Sequence, residues 1–320
     1  MKIAFLKPSF PNENRVGLLP KDLQYCSKED EHRFERGYGK VLDISDDNYG
    51  DYGGYSRENL FAWADVIFGM KVPHVQDYQY FRENQSLVGL IHPFRAPGKN
   101  FIEHCAQLKN IRLFYITNSI STRFYQGKTE LLNIPRNILY KNSVLAGYAS
   151  TMQAIMLRGG ITKNDTVAVF GSGNVAYGIL KYLASKGIEP LLRRRSNYHL
   201  LKQEFKDYDI FINAVGISQE DEAIITFEML DSMKPTAWII DAAADTGRAI
   251  QGTHSTTIDH PIYQDERGIT YYVVENSPSL LYRESSEAVS ESFAKNFWSK
   301  PMSYWYSDYC IAIDGEANQI

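Results

Sequence analysis

No excess of basic charge runs through this 320-residue chain: 34 Lys and Arg stand against 38 Asp and Glu, giving a net charge of −4 and a pI near 6.0. Without an overall positive field there is no general grip on a phosphate backbone, so a nucleic-acid partner is not expected. No apolar run reaches the ~18 residues of a membrane span. The opening Met1-Lys2-Ile3-Ala4-Phe5-Leu6, followed by Lys7-Pro8, lacks the apolar core of a signal peptide. A cytoplasmic protein without membrane contact is the expectation. Cysteine is scarce: Cys26, Cys105 and Cys310 match neither a CxxC metal site nor a disulfide framework, and read as buried thiols, with no metal expected. Internal repeats and low-complexity linkers are lacking too. What remains, 44% hydrophobic and 22% charged, is an ordinary globular chain whose length suggests two domains.

Short apolar runs alternate with amphipathic stretches from the start. Lys2–Lys7, Asp65–Lys71, Ser86–His92 and Arg112–Thr117 read as strands, with Asn100–Leu108 as a helix between them. A second series, Thr166–Phe170, Glu189–Leu192, Asp209–Val215 and Ala237–Asp241, includes the helical pattern Asn174–Lys186. Long helical patterns over Asn142–Arg158 and Ser279–Trp298 join the two series, after which the tail should return to the first. The fold class is therefore α/β: two Rossmann-like, doubly wound parallel-sheet domains joined by two long helices, with an active site expected in the cleft. The domain expectation is a discontinuous substrate domain, 1–140 plus 276–320, and a nucleotide-binding Rossmann domain, 141–275. The tyrosine-glycine stretch Asn48–Tyr55 reads as a loop.

The clearest chemical signal is Val167-Ala168-Val169-Phe170-Gly171-Ser172-Gly173-Asn174-Val175-Ala176. An apolar strand ends on Gly171, Gly173 lets backbone approach a pyrophosphate, and a helix opening near Asn174 turns its N–H groups and positive dipole end to the phosphates. Ala176 takes the place of the third glycine, and Ser172 and Val175 complete the turn. The alternative is a tight strand-to-helix turn in an unrelated α/β fold. Asn213, Ala214 and Val215, at the end of the strand Asp209–Val215, are expected to line the same cofactor. About 20 residues past the first glycine, a free ribose 2′-hydroxyl calls for Asp or Glu. Here Leu191-Leu192 runs into Arg193-Arg194-Arg195 instead. Guanidinium groups pair with phosphate and no carboxylate repels one, so NADP(H) is expected, against the alternative of a solvated basic turn.

In the first series, Arg15 lies in the loop after the first strand, Lys71 ends the strand Asp65–Lys71 and His92 ends the strand Ser86–His92. Parallel sheets place ligand groups beyond the carboxyl ends of their strands, so these side chains can converge. In the second series Asp245 follows the strand Ala237–Asp241. Each also has a plain structural reading: surface charge, solvated cation, satisfied core histidine, turn residue. The aromatic tail Tyr304-Trp305-Tyr306, Tyr309 and Arg283 could line an amino-acid pocket, although clustered aromatics more often pack a core.

Taken together, Asn12-Glu13-Asn14-Arg15-Val16-Gly17-Leu18, Ala64-Asp65-Val66-Ile67-Phe68-Gly69-Met70-Lys71-Val72-Pro73, His92, Ser143-Val144-Leu145-Ala146-Gly147, the glycine loop, Ile240-Asp241-Ala242-Ala243-Ala244-Asp245, Thr256-Thr257-Ile258-Asp259-His260-Pro261 and Glu275-Asn276-Ser277-Pro278 resemble the alanine dehydrogenase and pyridine nucleotide transhydrogenase family. The likeness covers nearly the whole chain. It implies that Arg15 and Lys71 hold the carboxylate and carbonyl of pyruvate, that His92 is the acid/base, and that Asp245 assists. Val72 stands where alanine dehydrogenases usually have Glu, and Arg193–Arg195 replaces their acidic residue. Both departures resemble the carboxyethylornithine synthase branch, which implies NADPH-dependent joining of pyruvate to the side-chain amine of ornithine or lysine by a homo-oligomer, dimer or tetramer. Alanine dehydrogenase, a saccharopine-type dehydrogenase and an NADPH-sensing protein without turnover are the other readings. A Schiff-base role for Lys71 is the less favoured alternative to its polarising the ketone.

Overall fold

The computed structural model describes residues 1–93, 96–117, 121–217, 221–244 and 249–307, with the backbone of 311–312. In chain order it contains β1 (Lys2–Phe5), β2 (Glu31–Phe34), α1 (Arg57–Trp63), β3 (Val66–Phe68), β4 (Ser86–Gly89), α2 (Ala96–Phe101), β5 (Arg112–Tyr115), β6 (Thr122–Tyr125), β7 (Lys128–Leu131) and α3 (Tyr140–Leu157). There follow β8 (Val167–Phe170), α4 (Asn174–Ser185), β9 (Leu191–Arg193), α5 (Tyr198–Glu204), β10 (Ile210–Asn213), α6 (Phe227–Ser232), β11 (Trp238–Asp241), β12 (Ile262–Gln264), β13 (Thr270–Tyr272), α7 (Tyr282–Asn296), α8 (Met302–Tyr306) and β14 (Ile311–Ala312). Two compact units emerge: Met1–Leu139 with the chain from Tyr282, and Tyr140–Leu281. The chain enters the second unit at the first residue of α3 and returns at the first residue of α7. Among the described residues no helix is long and apolar enough to cross a membrane.

The first unit is built on an eight-stranded sheet, β14-β7-β6-β5-β4-β3-β1-β2. Strands β2, β1, β3, β4 and β5 are parallel, and β6, β7 and β14 add antiparallel edges. Strands covered on both faces must be apolar on both, and β3 and β4 are buried at every position. On one face Ile3, Phe5, Phe68 and Phe114 pack under Phe293, Phe297 and Trp298 of the α7 region. On the other, Ala4, Ile67, Leu87 and Leu113 pack under Leu60 and Phe61 of α1 and Phe101 of α2. The tail returns to this unit through α8 and β14, the latter pairing with β7. In the sheet order β2 lies on one side of β1 and β3 on the other, so the crossover direction reverses at β1, and the carboxyl ends of β1 and β3 flank a switch point.

The second unit carries a six-stranded sheet, β12-β13-β11-β10-β8-β9, parallel except for β12. Val167, Val169, Ile210 and Ile212 face Ile155 of α3 and Ile179 of α4. Ala168, Phe170 and Phe211 face Leu201 of α5 and Met229 of α6. Its switch point lies between β8 and β10.

Several expectations need correction. The expected strands over Asp65–Lys71 and Ser86–His92 stop at Phe68 and Gly89, so Lys71 and His92 each lie three residues past a strand rather than ending one. Strands β2, β6, β7, β12, β13 and β14 lie outside the expected strands, and the sheets are mixed rather than wholly parallel. The stretch Asn48–Tyr55 is largely helical, within a 3-10 segment over Asp46–Tyr52 opened by the Ser45–Asn48 capping box. Cys26 and Cys105 are buried, and burial pushes their thiols up to about 12 and about 11, so neither is a nucleophile at neutral pH. Cys310 lies outside the described residues.

Candidate active site

The loop that leaves β1 turns Arg15 inward, leaving the residue only 2% exposed. A buried guanidinium needs a counter-charge, and Glu13 provides it. The Glu13 carboxylate accepts from Arg15 Nε at 2.7 Å and from the Arg15 backbone N–H at 3.0 Å, and its second oxygen pairs with Nη2. Burial raises the Glu13 pKa, but the Arg15 charge, the hydrogen bonds from Arg15 and the Lys71 charge together hold it below the ordinary value. Glu13 is thus a buried carboxylate under the influence of two cations, one from the loop after β1 and one from beyond β3, at the switch point. The sequence reading gave Glu13 no role. Its one signal was the Glu-x-Arg spacing, which makes the side-on pairing local.

His92 lies beyond the carboxyl end of β4. Its Nδ1 is hydrogen-bonded to the hydroxyl of Tyr115 at 2.8 Å, with the rings tilted and their centroids 5.0 Å apart. Tyr115 is the last residue of β5 and pairs in register with Gly89, the last of β4. Behind His92, α2 approaches so closely that a Cβ on Gly98 would overlap the His92 carbonyl. Glycine at this position permits that packing. Arg15, Lys71 and His92 therefore follow three adjacent parallel strands on one edge of the sheet.

In the second unit Gly171 has φ +131°, a conformation suited to glycine, and a Cβ there would press on Ala214. Gly173 precedes α4 with no side chain capping the helix and open space where a Cβ would sit. Ser172 and Gly173 are exposed, Asn174 and Val175 half-buried, and Ala176 is packed into the core. The open cradle before the amino end of a twelve-residue helix fits a pyrophosphate, and so fits a dinucleotide. Gly147 of α3 and Gly178 of α4 allow these helices to touch backbone to backbone, which seats α4 under the loop.

Three cofactor candidates behave differently from one another. Arg193 ends β9 and its guanidinium is engaged by Glu204, with Nε at 2.8 Å and Nη2 at 2.5 Å from one carboxylate oxygen that also accepts from Tyr208. Arg194 is exposed, its backbone N–H held by Asn197 at 2.6 Å. Asn213 is buried and spends its amide on Asp241 at 2.9 Å and on both backbone groups of Val215, so it shapes the loop rather than presenting a side chain. Asp241 in turn accepts from the Ala243 N–H. Asp245 lies outside the described residues. Among the described residues no group of three or more His, Cys, Asp or Glu could hold a metal ion.

Trp305 and Tyr306 of the aromatic tail pack away from this edge. Tyr306 is hydrogen-bonded to Ser86, the first residue of β4, and lies 5.0 Å from the guanidinium of Arg112, the first residue of β5. Trp305 is 2% exposed and stacks on Phe297. These rings are anchored at the amino ends of the strands whose carboxyl ends lead to His92 and Tyr115, so they are core. Arg283 is exposed and pairs with Asp43. Tyr309 lies outside the described residues.

The alanine dehydrogenase/PNT family models match both units, the N-terminal domain over residues 6–115 and the C-terminal domain over residues 174–300. An N(5)-(carboxyethyl)ornithine synthase of Lactococcus lactis subsp. lactis is 38% identical over 310 residues, 96% of this chain and 99% of that one. Its namesake in Clostridium botulinum is 39% identical over 309 residues, 95% of this chain and 96% of the other. Among solved structures, an L-alanine dehydrogenase superposes with a TM-score of 0.72 at 19% identity, covering 92% of this chain and 88% of that chain, a likeness of fold. With family models on both units and relatives matched nearly end to end, this chain belongs to the alanine dehydrogenase and pyridine nucleotide transhydrogenase family, as an oxidoreductase of the CH–NH class that works with a pyridine nucleotide.

Proposed function

We propose that the chain carries out the NADPH-dependent reductive condensation of pyruvate with the side-chain amino group of ornithine or lysine, giving N5-(1-carboxyethyl)ornithine from ornithine. The observation that carries the reading is the buried Glu13–Arg15 pair, under the charge of the half-buried Lys71, beyond the carboxyl ends of the same set of parallel strands that His92 follows. The names of the relatives with 38% and 39% identity support ornithine as the amine substrate. The exposed Arg194 at the ribose-reading position supports NADPH over NADH.

A side-chain amine has an ordinary pKa near ~10.4 and is mostly protonated at neutral pH, so it must lose a proton before it attacks the ketone. His92 takes that proton. Arg15 binds the keto-acid carboxylate, while Lys71 directs its ammonium to the ketone oxygen and stabilises the charge that develops as the amine adds. A proton passes from the adduct's nitrogen to its alkoxide oxygen; His92 then returns its own proton to that hydroxyl, which leaves as water, and the protonated imine of pyruvate remains. The glycine loop would hold NADPH, which when bound would supply the hydride that takes this iminium to the secondary amine. Asp245 retains the assisting role that the family resemblance implies. The first unit is the substrate domain in this reading and the second the nucleotide domain.

Purified protein incubated with pyruvate and ornithine, lysine or ammonia, with NADPH or NADH, and read by product mass, tests the proposal. A carboxyethyl adduct of a diamino acid formed with NADPH is the expected result. Alanine from ammonia alone would make the chain an alanine dehydrogenase. NADPH binding without turnover of any amine would make it a sensor.

A further inference from the structure

We infer that Tyr115 is a positioning residue that holds His92 in the tautomer with hydrogen on Nδ1, so that Nε2 is the atom that exchanges protons with substrate. The inference rests on the proposed acid/base role of His92. A phenol hydroxyl can accept from Nδ1–H or donate to Nδ1, and the 2.8 Å contact is compatible with both. Chemistry separates them. If Tyr115 donated, neutral His92 would carry its hydrogen on Nε2 and could not accept the amine proton there. If Tyr115 accepts, Nε2 is the base, and the same Nδ1–H bond persists after protonation, so the ring need not reorient between its two tasks.

The backbone makes this hold firm. Tyr115 is paired on one side with Gly89 of β4 and on the other with Thr122 of β6. The Ile116 N–H donates to the Gly89 carbonyl at 3.0 Å, locking the strand end from which the His92 loop departs. A tyrosine ring has few torsions to fix, so it can orient an imidazole at small entropic expense. Its hydroxyl is also neutral. A carboxylate in that place would strongly favour the imidazolium, whereas a hydroxyl orients the ring and leaves its proton exchangeable. Among the described residues, the charged groups set beyond the carboxyl ends of neighbouring strands are Glu13, Arg15 and Lys71, and the ion-paired Lys7, Glu35, Arg57 and Asp77 beside β1 and β2.

Two measurements test the inference. In ¹⁵N-histidine-labelled protein above pH 8, His92, assigned by its absence from His92→Ala, should show the Nδ1–H tautomer, and in Tyr115→Phe a mixture. In Tyr115→Phe the imidazolium loses an acceptor that matters more to it than to the neutral ring, so the acidic limb of kcat/KM should move down by roughly half to one pH unit. The ceiling should fall about tenfold, with NADPH affinity and Tm near wild type. A wild-type His92 with hydrogen on Nε2, or a Tyr115→Phe pH profile superimposable on wild type, would overturn the inference. His92→Ala turning over at the wild-type rate would instead remove the acid/base role from His92, a separate failure.

Discussion

Replacing Glu13 by glutamine keeps the shape of the side chain and removes one negative charge from a site where its side chain is 0% exposed and that of Arg15 is 2% exposed. Water cannot substitute for the lost counter-charge. Breaking a buried ion pair from one side typically costs about 3–5 kcal/mol. The glutamine oxygen can still accept from Arg15 Nε, so the lower figure, about 3 kcal/mol, applies. At roughly 2–4 °C per kcal/mol for a unit of this size, Tm should fall by about 6–12 °C at pH 7. The pH dependence follows from the lowered pKa of Glu13. Its folded value lies below the unfolded one, so its contribution is fully present above the unfolded carboxylate range, near pH ~4.3, and is lost as pH falls through the folded value. The wild type and Glu13→Gln should therefore differ most near neutrality and converge in acid. Pyruvate adds a second reading: its carboxylate would enter a site that has lost one negative charge beside Arg15 and Lys71, so it should raise the Tm of the variant more than that of the wild type. Thermal unfolding followed from pH 7 to below pH 4, with and without pyruvate, measures both. A Tm gap that stays constant into acid would show that shape and not charge makes the difference, and equal Tm values at pH 7 would refute the counter-charge argument outright.

Arg193 and Arg194, at the end of β9, should separate in binding experiments. Arg194→Ala should weaken NADPH by about 10–100-fold, the loss of a charge-assisted phosphate contact, with little change for NADH. Arg193→Ala should lower Tm by a few degrees through its lost pairing with Glu204 and leave the NADPH-to-NADH ratio nearly intact. Fluorescence titration of both variants with both cofactors decides, and a ratio that collapses only in Arg193→Ala would reverse the assignment. Gly98→Ala should force α2 away from the His92 carbonyl or displace His92 itself, lowering kcat at least tenfold with NADPH binding unchanged. Full turnover in that variant would show that the His92 loop tolerates movement.

The interior strands were legible in the sequence because a strand covered on both faces is a continuous apolar run, as in Val66-Ile67-Phe68 and Val167-Ala168-Val169-Phe170. Their ends were not, because apolar character reports burial and not pairing. Met70, Leu90 and Ile91 are as buried as strand residues and extend the run, yet they lie in the loops that carry Lys71 and His92 away from the sheet. The strands toward the two sides of the sheet failed for the opposite reason. β2 reads Glu-His-Arg-Phe and β7 reads Lys-Thr-Glu-Leu, with no run to notice. The β6–β7 hairpin left one trace, Gln126-Gly127, both with positive φ, a two-residue turn chemistry.

The same division runs through the site. Arg15, Lys71, His92 and the glycine loop follow strands that could be seen, and a parallel sheet puts its ligand groups there, so position made them candidates and the family resemblance gave Arg15, Lys71 and His92 their expected roles. What the sequence could not convey is which charges neutralise each other. Glu13 looks like any loop carboxylate, since acids are almost never buried unless paired, and Tyr115 is one of 22 tyrosines. Arg193 and Arg194 are neighbours of identical chemistry, yet only Arg193 meets Glu204, eleven residues on at the last turn of α5. Each omission is a partner supplied by the fold to a residue already chosen, and each fixes the geometry of that residue. Glu13 turns Arg15 side-on, Tyr115 meets the ring of His92, and Glu204 engages Arg193 while Arg194 and Arg195 stay exposed.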